Sequence, residues 1–288
     1  MDIVPQLILN SVIAGAIYTL IAIGFNLIYG ATKFFNLAHG VMAAVGGYAV
    51  FYLSKTLGWN LSIAVVLGII IAGLIGYATD KFIYLPLRRR KASGLILLVA
   101  SLGVFTALQA ILAIIFSSQF QTLTQGVGTQ KTYEIFGGII TQMQLIIFIS
   151  GMVIMAALGL LLKYTRLGKA IKAISDDEEV ARMIGINTNK IIGYVFFIGS
   201  AIAGLAGILV GFDTGIEPTM GLSLLLKGVI AAIVGGVGSL YGGVLGAFLL
   251  GFVENFGIWQ ISGEWKDAIA FTLLIVFLIF RPRGIMNK

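Results

Sequence analysis

Apolar runs of about 20 residues recur along the chain, separated by short polar or charged breaks: 6–29, 60–79, 93–116, 139–162 and 191–211. Each is long enough to cross roughly 30 Å of hydrocarbon as a helix, so these five are expected to be membrane spans. Three further regions are expected to cross. Residues 36–54 are apolar chiefly apart from Asn36 and His39, 222–258 holds two short crossings around a glycine break, and 267–280 reaches span length when Trp265 and Asp267 sit at the interface. The sum is about nine transmembrane helices, with eight to ten allowed. The expected architecture is an all-α integral membrane protein, a single transmembrane domain over residues 1–288 with some helices broken at glycines.

Composition agrees with a bilayer. A mean hydropathy of +1.03 exceeds what one soluble core of 288 residues could hide behind a polar shell. The start, "MDIVPQ", has no Lys or Arg and leads into a run too long for a cleaved signal, so it is expected to remain as a helix. Without cysteine there is no disulfide, thiolate metal site or cysteine nucleophile, and a single His excludes the usual metal clusters. The net charge of +7 is assigned to loops and anionic headgroups, with no nucleic-acid partner.

The basic residues choose an orientation. With nine spans and the N-terminus outside, fifteen of the 19 basic residues face the cytosol, including "RRRK" at 88–91 and the tail Arg281, Arg283 and Lys288. Only Lys55, Lys131, Lys227 and Lys266 fall on or near the outer side. Lys227 is placed a turn from an outer end, where its stem can snorkel; Glu254 lies near an outer end and Asp80 at a cytosolic one. "RRRK" is a topology anchor in this scheme, with a lipid- or partner-binding patch as the alternative.

The same topology puts 163–190 in the cytosol as the largest inner loop. Within it "TRLGKAIKAISDDEEVARMIGIN", 165–187, carries eight charged side chains. Leu167, Ala170, Ile171 and Ile174 share one helical face. Ser175 is expected to cap a second helix with Glu178 three residues on, Asp176, Asp177 and Glu179 suit its positive end, Val180, Ala181 and Ile184 form its apolar face, and Gly185 fits the position just past its end. Two capped helices make a compact knob. It either lies on headgroups, where its four consecutive acids would be repelled, or docks a soluble protein.

This loop resembles the coupling loop of ABC importer permeases, and its sequence is similar to the version in LivH-type branched-chain amino acid permeases. "FNLAHG" at 35–40, "LPLRRR" at 85–90, "LLKGVIAAIVGGVGSLYGGVLGAFLLGFVE" at 225–254 and "FRPRGI" at 280–285 match the same family in the same order. The resemblance implies a subunit in a bacterial inner membrane that pairs with a second related permease, two ATPase subunits docked on the loop and an extracytoplasmic substrate-binding protein. It implies coupling through Gly168, Ala173, Asp177, Glu178, Ala181 and Gly185. The chain has no G-x-x-x-x-G-K-[ST] loop, and "LGKA" at 167–170 lacks both the leading Gly and the final Ser or Thr. It therefore binds no cofactor of its own in this reading; ATP and Mg belong to the partner subunits, and the chain is not an enzyme. Hydrophobic amino acids are the expected cargo, with urea or short amides, or a channel or ion-coupled carrier, as alternatives.

Glycine is abundant, 38 residues, in stretches such as 44–49, 199–207 and 235–246. Small residues let helices approach closely, or interrupt them where a cavity covers the exposed backbone. "GVMAAVGG" at 40–47 echoes "GVIAAIVGG" at 228–236 in the opposite direction, as in an inverted repeat whose halves face each other across a path. The candidate path or gate residues are therefore Asn36, His39, Gly46, Gly47, Gly235 and Gly236. His39 serves either as a structural hydrogen bond at a helix start or at the gate. The outer loop 117–138, rich in Gln, Thr and Gly, is a surface turn or part of the platform for the binding protein.

Overall fold

Helix α1 (Ile3–Thr32) is the axis of the molecule, which is described here from a computed structural model covering residues 3–123, 131–259 and 261–286. Its thirty residues reach ~45 Å at about 1.5 Å per residue, and from Leu20 to Ile28 every side chain is buried. A helix apolar on all sides has to sit inside a bundle. Helices α6 (Gln142–Tyr164), α9 (Thr188–Asp213), α10 (Met220–Gly235) and α11 (Leu240–Gly257) pack around it. Helix α2 (Ala38–Phe51), extended by a π-helical turn at Tyr52–Thr56, packs on α9 and on α3 (Leu61–Thr79). A second π turn, Asp80–Tyr84, joins α3 to the short α4 (Leu85–Arg89). The outer helices, α5 (Gly94–Phe116), α6 and α12 (Lys266–Phe280), leave side chains such as Ile114, Val153 and Ile279 uncovered, a surface suited to lipid tails rather than water.

Among the described residues six helices are long and apolar enough to cross a membrane: α1, the α3–α4 segment, α5, α6, α9 and α11. The first five correspond to the five long runs read from sequence, except that residues 139–141 of the fourth run belong to a strand. Helix α11 is the second half of 222–258, and α2, α10 and α12 are shorter apolar helices of 14, 16 and 15 residues.

One element departs from all-α. Strands β1 (Thr132–Ile135) and β2 (Gly138–Thr141) form an antiparallel hairpin with Thr132 opposite Thr141. Phe136 and Gly137 both have positive φ, 51° and 82°, which is the backbone of a two-residue hairpin turn. Strand β2 alternates in burial, with Gly138 and Ile140 inside and Ile139 exposed. The hairpin rests on the start of α1, where the Gln6 side chain accepts from Ile139 N–H (2.8 Å) and donates to its carbonyl (3.1 Å). Of the expected outer loop 117–138, residues 124–130 lie outside the described ones; Gln121 exchanges backbone hydrogen bonds with Ile216.

Glycine sets the helix spacing. A Cβ on Gly46 of α2 would lie 2.6 Å from the Gly204 Cα of α9, and one on Gly24 of α1 2.8 Å from the Gly199 carbonyl oxygen. Between α10 and α11 the expected glycine break is present: Gly236 (φ 112°) and Gly238 (φ 85°) adopt backbone that residues with a Cβ seldom take. Hydrocarbon cannot satisfy the groups this break frees. Asn26 of α1 does so, accepting from Gly238 N–H (3.0 Å) and donating to the Ser239 carbonyl (2.9 Å). The "RPRGI" segment folds back over the end of α10, where Ile285 and Met286 N–H donate to the Val234 and Gly235 carbonyls (both 3.0 Å).

Lys227 and Glu254 correct the sequence reading. Neither snorkels to a surface: Lys227 is 6% and Glu254 0% exposed, and they form an ion pair with each other. Asp267 of α12 meets the same ammonium at 2.7 Å, Lys266 approaches Glu254 at 3.8 Å, and the Tyr18 hydroxyl of α1 donates to Glu254 (2.6 Å). The reason is packing: α11 and α12 close around the α10 segment that carries Lys227, and a buried charge is tolerated only with partners.

Two stability outcomes follow from this packing. Lys227→Met should lower stability by about 3–5 kcal/mol because it strands a buried carboxylate, whereas Lys227→Met with Glu254→Gln should recover most of the loss, read as thermal unfolding in detergent. Gly46→Val should cost about 1–3 kcal/mol by forcing α2 from α9. Gly103→Val on α5, where an added Cβ meets nothing within 4 Å, should leave the same transition in place.

Candidate functional site

The stretch Lys33–Leu37 turns away from α1 and leads inward. Lys33 takes φ 55°, after which Phe34 is buried against the rings of Tyr84 (5.2 Å) and Phe196 (6.5 Å). Asn36 Oδ1 accepts from the Tyr84 hydroxyl (3.0 Å) and from Ala38 N–H (3.1 Å). Ser101 of α5 accepts from Leu37 N–H (3.0 Å) and donates to the Leu98 carbonyl (2.7 Å). Three elements thus satisfy an irregular segment that is otherwise walled by apolar groups.

His39 is fully buried at the start of α2. Its Nε2 donates to the Ile21 carbonyl of α1 (3.3 Å), which puts the proton on that nitrogen and leaves the buried Nδ1 without a partner. The ring packs against Gly24, where an added Cβ would stand 2.8 Å from its Cε1. Asn36 and His39 therefore share one helix start, at the junction of α1, α2, α3–α4 and α5.

The glycine pairs are placed differently from the expectation that 40–47 and 228–236 face each other. Helices α2 and α10 do touch at Gly40, where an added Cβ would stand 2.7 Å from the Leu225 Cβ and closer still to the Gly221 carbonyl oxygen. Gly46, however, lies on Gly204 of α9, Gly47 on Ile216, Gly235 on Gly242 of α11, and Gly236 against Gly284. Gly46 and Gly235 are thus turned toward neighbouring helices, and Gly47 and Gly236 toward the loop at Ile216 and the C-terminal turn at Gly284.

A cavity of about 390 Å³ opens between α1, α6, α9, α10, α11 and the start of α12. Its lining joins Asn10, Gln144, Asp213 and Lys266 to the apolar Ile13, Ile17, Val210 and Leu224, and it reaches Tyr18 and Asn255 beside the Glu254 network. A carboxylate and an ammonium over branched apolar walls match a zwitterion with an apolar side chain. Sequence reading missed this set. The available signal was that Tyr18, Lys227 and Glu254 interrupt apolar runs with polar groups, but nothing in one dimension shows that they converge.

The 163–190 segment folds as two helices, α7 (Arg166–Asp176) and α8 (Glu178–Met183). Thr165 caps α7 by accepting from Gly168 N–H (2.9 Å), and Gly168 is pressed on the last turn of α6, with an added Cβ 2.7 Å from the Leu162 carbonyl oxygen. Ile171 and Ile174 are buried beneath, with Ala173 half-buried beside them. Ser175 is not the cap of α8. Helix α7 runs on through Asp176, so the cap falls to Asp177, which accepts from Glu179 N–H (2.8 Å) and Val180 N–H (3.0 Å). Ser175 instead fits under Gly30 of α1, 3.1 Å from where a Cβ would stand.

Glu178 accepts from Arg182 one turn on (2.7 Å). Gly185, at φ 88°, ends α8: its N–H donates to the Arg182 carbonyl and Ile186 N–H to the Ala181 carbonyl (both 3.1 Å). Ala181 is buried, but Met183 and Ile184 are 78% and 70% exposed, so the knob presents an uncovered apolar tip held by caps at both ends.

Comparison with known proteins identifies the family. Residues 7–278 match the sequence profile of the branched-chain amino acid transport system / permease component family. The high-affinity branched-chain amino acid transport system permease protein LivH of Escherichia coli (strain K12) is 35% identical, over 98% of this chain and 95% of its own. The corresponding protein BraD of Pseudomonas aeruginosa is 34% identical over the same shares, and the probable LivH of Methanocaldococcus jannaschii 29% identical over 99% and 93%. Among solved structures, PsaBC from Streptococcus pneumoniae in complex with Fab matches in fold, with a TM-score of 0.51 at 13% identity, covering 98% of this chain and 93% of that one. A full-length profile match and identity of this extent place the chain in one family: it is a member of the branched-chain amino acid transport system permease components.

Proposed function

We propose that the chain is the permease subunit of an ATP-driven importer, carrying branched-chain or other hydrophobic amino acids across a bacterial inner membrane by alternating access. The observation that carries this reading is the α7–α8 knob. Its buried face is keyed into α6 and α1 through Gly168, Ile171 and Ile174, and its free face offers Val180, Met183 and Ile184 to a partner. A rigid element packed on the spans at one side and apolar at the other transmits a partner's movement only in proportion to that partner's different affinity for the two states.

In this reading α2, α10 and α12 also cross, giving nine spans with the N-terminus outside and the C-terminus and knob in the cytosol. Two ATPase subunits hold ATP and Mg and grip the knob, a second related permease completes the path, and an extracytoplasmic binding protein delivers cargo. The Asp213 cavity opens near the outer end of α1 and takes the zwitterion. Asn36 and His39, at the helix start where four elements meet, serve as the inner gate.

Three outcomes test it. In liposomes, uphill leucine uptake should require the ATPases, the second permease and the binding protein together; uphill uptake by this chain alone defeats the proposal. Met183→Asp with Ile184→Asp should abolish co-purification with the ATPases and ATP-driven uptake without changing the thermal unfolding of the isolated chain. Asp213→Asn should lower uptake at saturating binding protein by about tenfold or more, the scale of one lost hydrogen bond to a charged group, while assembly persists.

A further inference from the structure

A second cavity, of about 600 Å³, lies at the Thr32 end of α1, the opposite end from Asn10. Lys33, Arg88, Arg89, Lys91 and Arg182 line it, and Glu178 is its single acid. The five come from the turn after α1, from α4, from the turn before α5 and from α8, elements spread over 150 residues of sequence. Two are already engaged, Arg88 by Asp80 (2.5 Å) and Arg182 by Glu178 (2.7 Å). Lys33, Arg89 and Lys91 have no acidic partner among the described residues, so five cations face two acids and a positive excess remains.

Three features mark the cavity as built for an anion. Arg88 Nε is buried with no hydrogen-bond partner. Lys33 and Lys91 both hold positive φ, 55° and 54°, two of only four such non-glycine residues described, and both turn at the cavity's edge. Gly94, also in the lining, opens the 23-residue α5; the Ser93 side chain accepts from Ile96 N–H (3.4 Å), the other first-turn N–H groups have no partner within the helix, and the helix dipole favours negative charge.

The surface beside it identifies the anion's source. From Gly94, helix α5 runs outward with Leu95, Val99 and Leu102 in one strip, 71%, 57% and 45% exposed. A phosphate in the cavity and an uncovered apolar track leading from it form a single surface for a molecule with a charged head and hydrocarbon tails. We propose that this cavity binds the headgroup of an anionic phospholipid, whose acyl chains lie along Leu95, Val99 and Leu102. The headgroup joins Arg182 of α8 to Arg89 and Lys91 beside α5, so the lipid braces the knob against the membrane helices. The assignment needs a bilayer but does not rest on the transport reading.

The test uses the purified full chain in neutral detergent, with thermal stability and native mass spectrometry as readouts. Phosphatidylglycerol should raise the unfolding temperature and remain bound, and phosphatidylcholine should do neither. Lys33→Gln, Arg89→Gln and Lys91→Gln combined should weaken phosphatidylglycerol binding about a hundredfold, each charge counting about tenfold or less, with unfolding in neutral detergent unchanged. A control with Lys169→Gln, Lys172→Gln and Arg283→Gln removes three cations elsewhere and should bind as the parent does. Equal retention of phosphatidylcholine, unchanged binding by the triple variant, or an equal loss in the control overturns the proposal. Stabilisation by glycerol 3-phosphate or inorganic phosphate as strong as by the lipid also overturns it, assigning the cavity to a soluble phosphate compound.

Discussion

Hydrocarbon offers no hydrogen-bond partner, and the rest of this structure follows from that constraint. At several points where the chain leaves helical geometry inside the bundle, side-chain or backbone groups from elsewhere in the chain supply the missing bonds. Asn26 closes the turn between α10 and α11, Ser101 and Tyr84 hold the segment before α2, and Ile285 and Met286 cover the end of α10. The same rule governs charge. Glu254 is fully buried because Lys227, Tyr18 and Lys266 come to it from three other helices.

Glycine has a complementary role. Lipid tails are as apolar as leucine, so helices gain little by hiding from them, and close van der Waals contact between backbones is what holds them together. Gly24 and Gly199, and Gly46 and Gly204, bring α1, α2 and α9 to near backbone contact. A core fastened in this way moves as packed units rather than by continuous bending, a suitable basis for two alternative arrangements of the spans.

The α7–α8 knob follows soluble-protein rules. Its ends are closed by Thr165, Asp177 and Gly185, and its apolar groups are divided between a face keyed into the spans and a tip left free. The basic cavity beside it joins the same knob to α4 and α5, so one short helix, α8, borders both the uncovered apolar tip and the proposed lipid contact.

Much of this was legible in one dimension. Long uncharged runs determine membrane helices, because burying about 20 residues of backbone and apolar side chain leaves a chain no other low-energy arrangement in a bilayer. The five longest runs are helices in the structure apart from residues 139–141, and the knob's two helices and the Gly185 stop were visible in helical periodicity and capping chemistry, which are local. The cap at Asp177 instead of Ser175 shows the limit of that locality: two adjacent acids and a serine offer several caps, and the packing of Ser175 under Gly30 selects among them. The destination of Lys227 and Glu254, the partners of Gly46 and Gly235, the β1–β2 hairpin and both cavities were decided only in three dimensions. Each depends on which helix stands beside which, and the hydrogen bond between residues 18 and 254, or the cavity that residues 33 and 182 both line, leaves no mark on the periodicity of either segment.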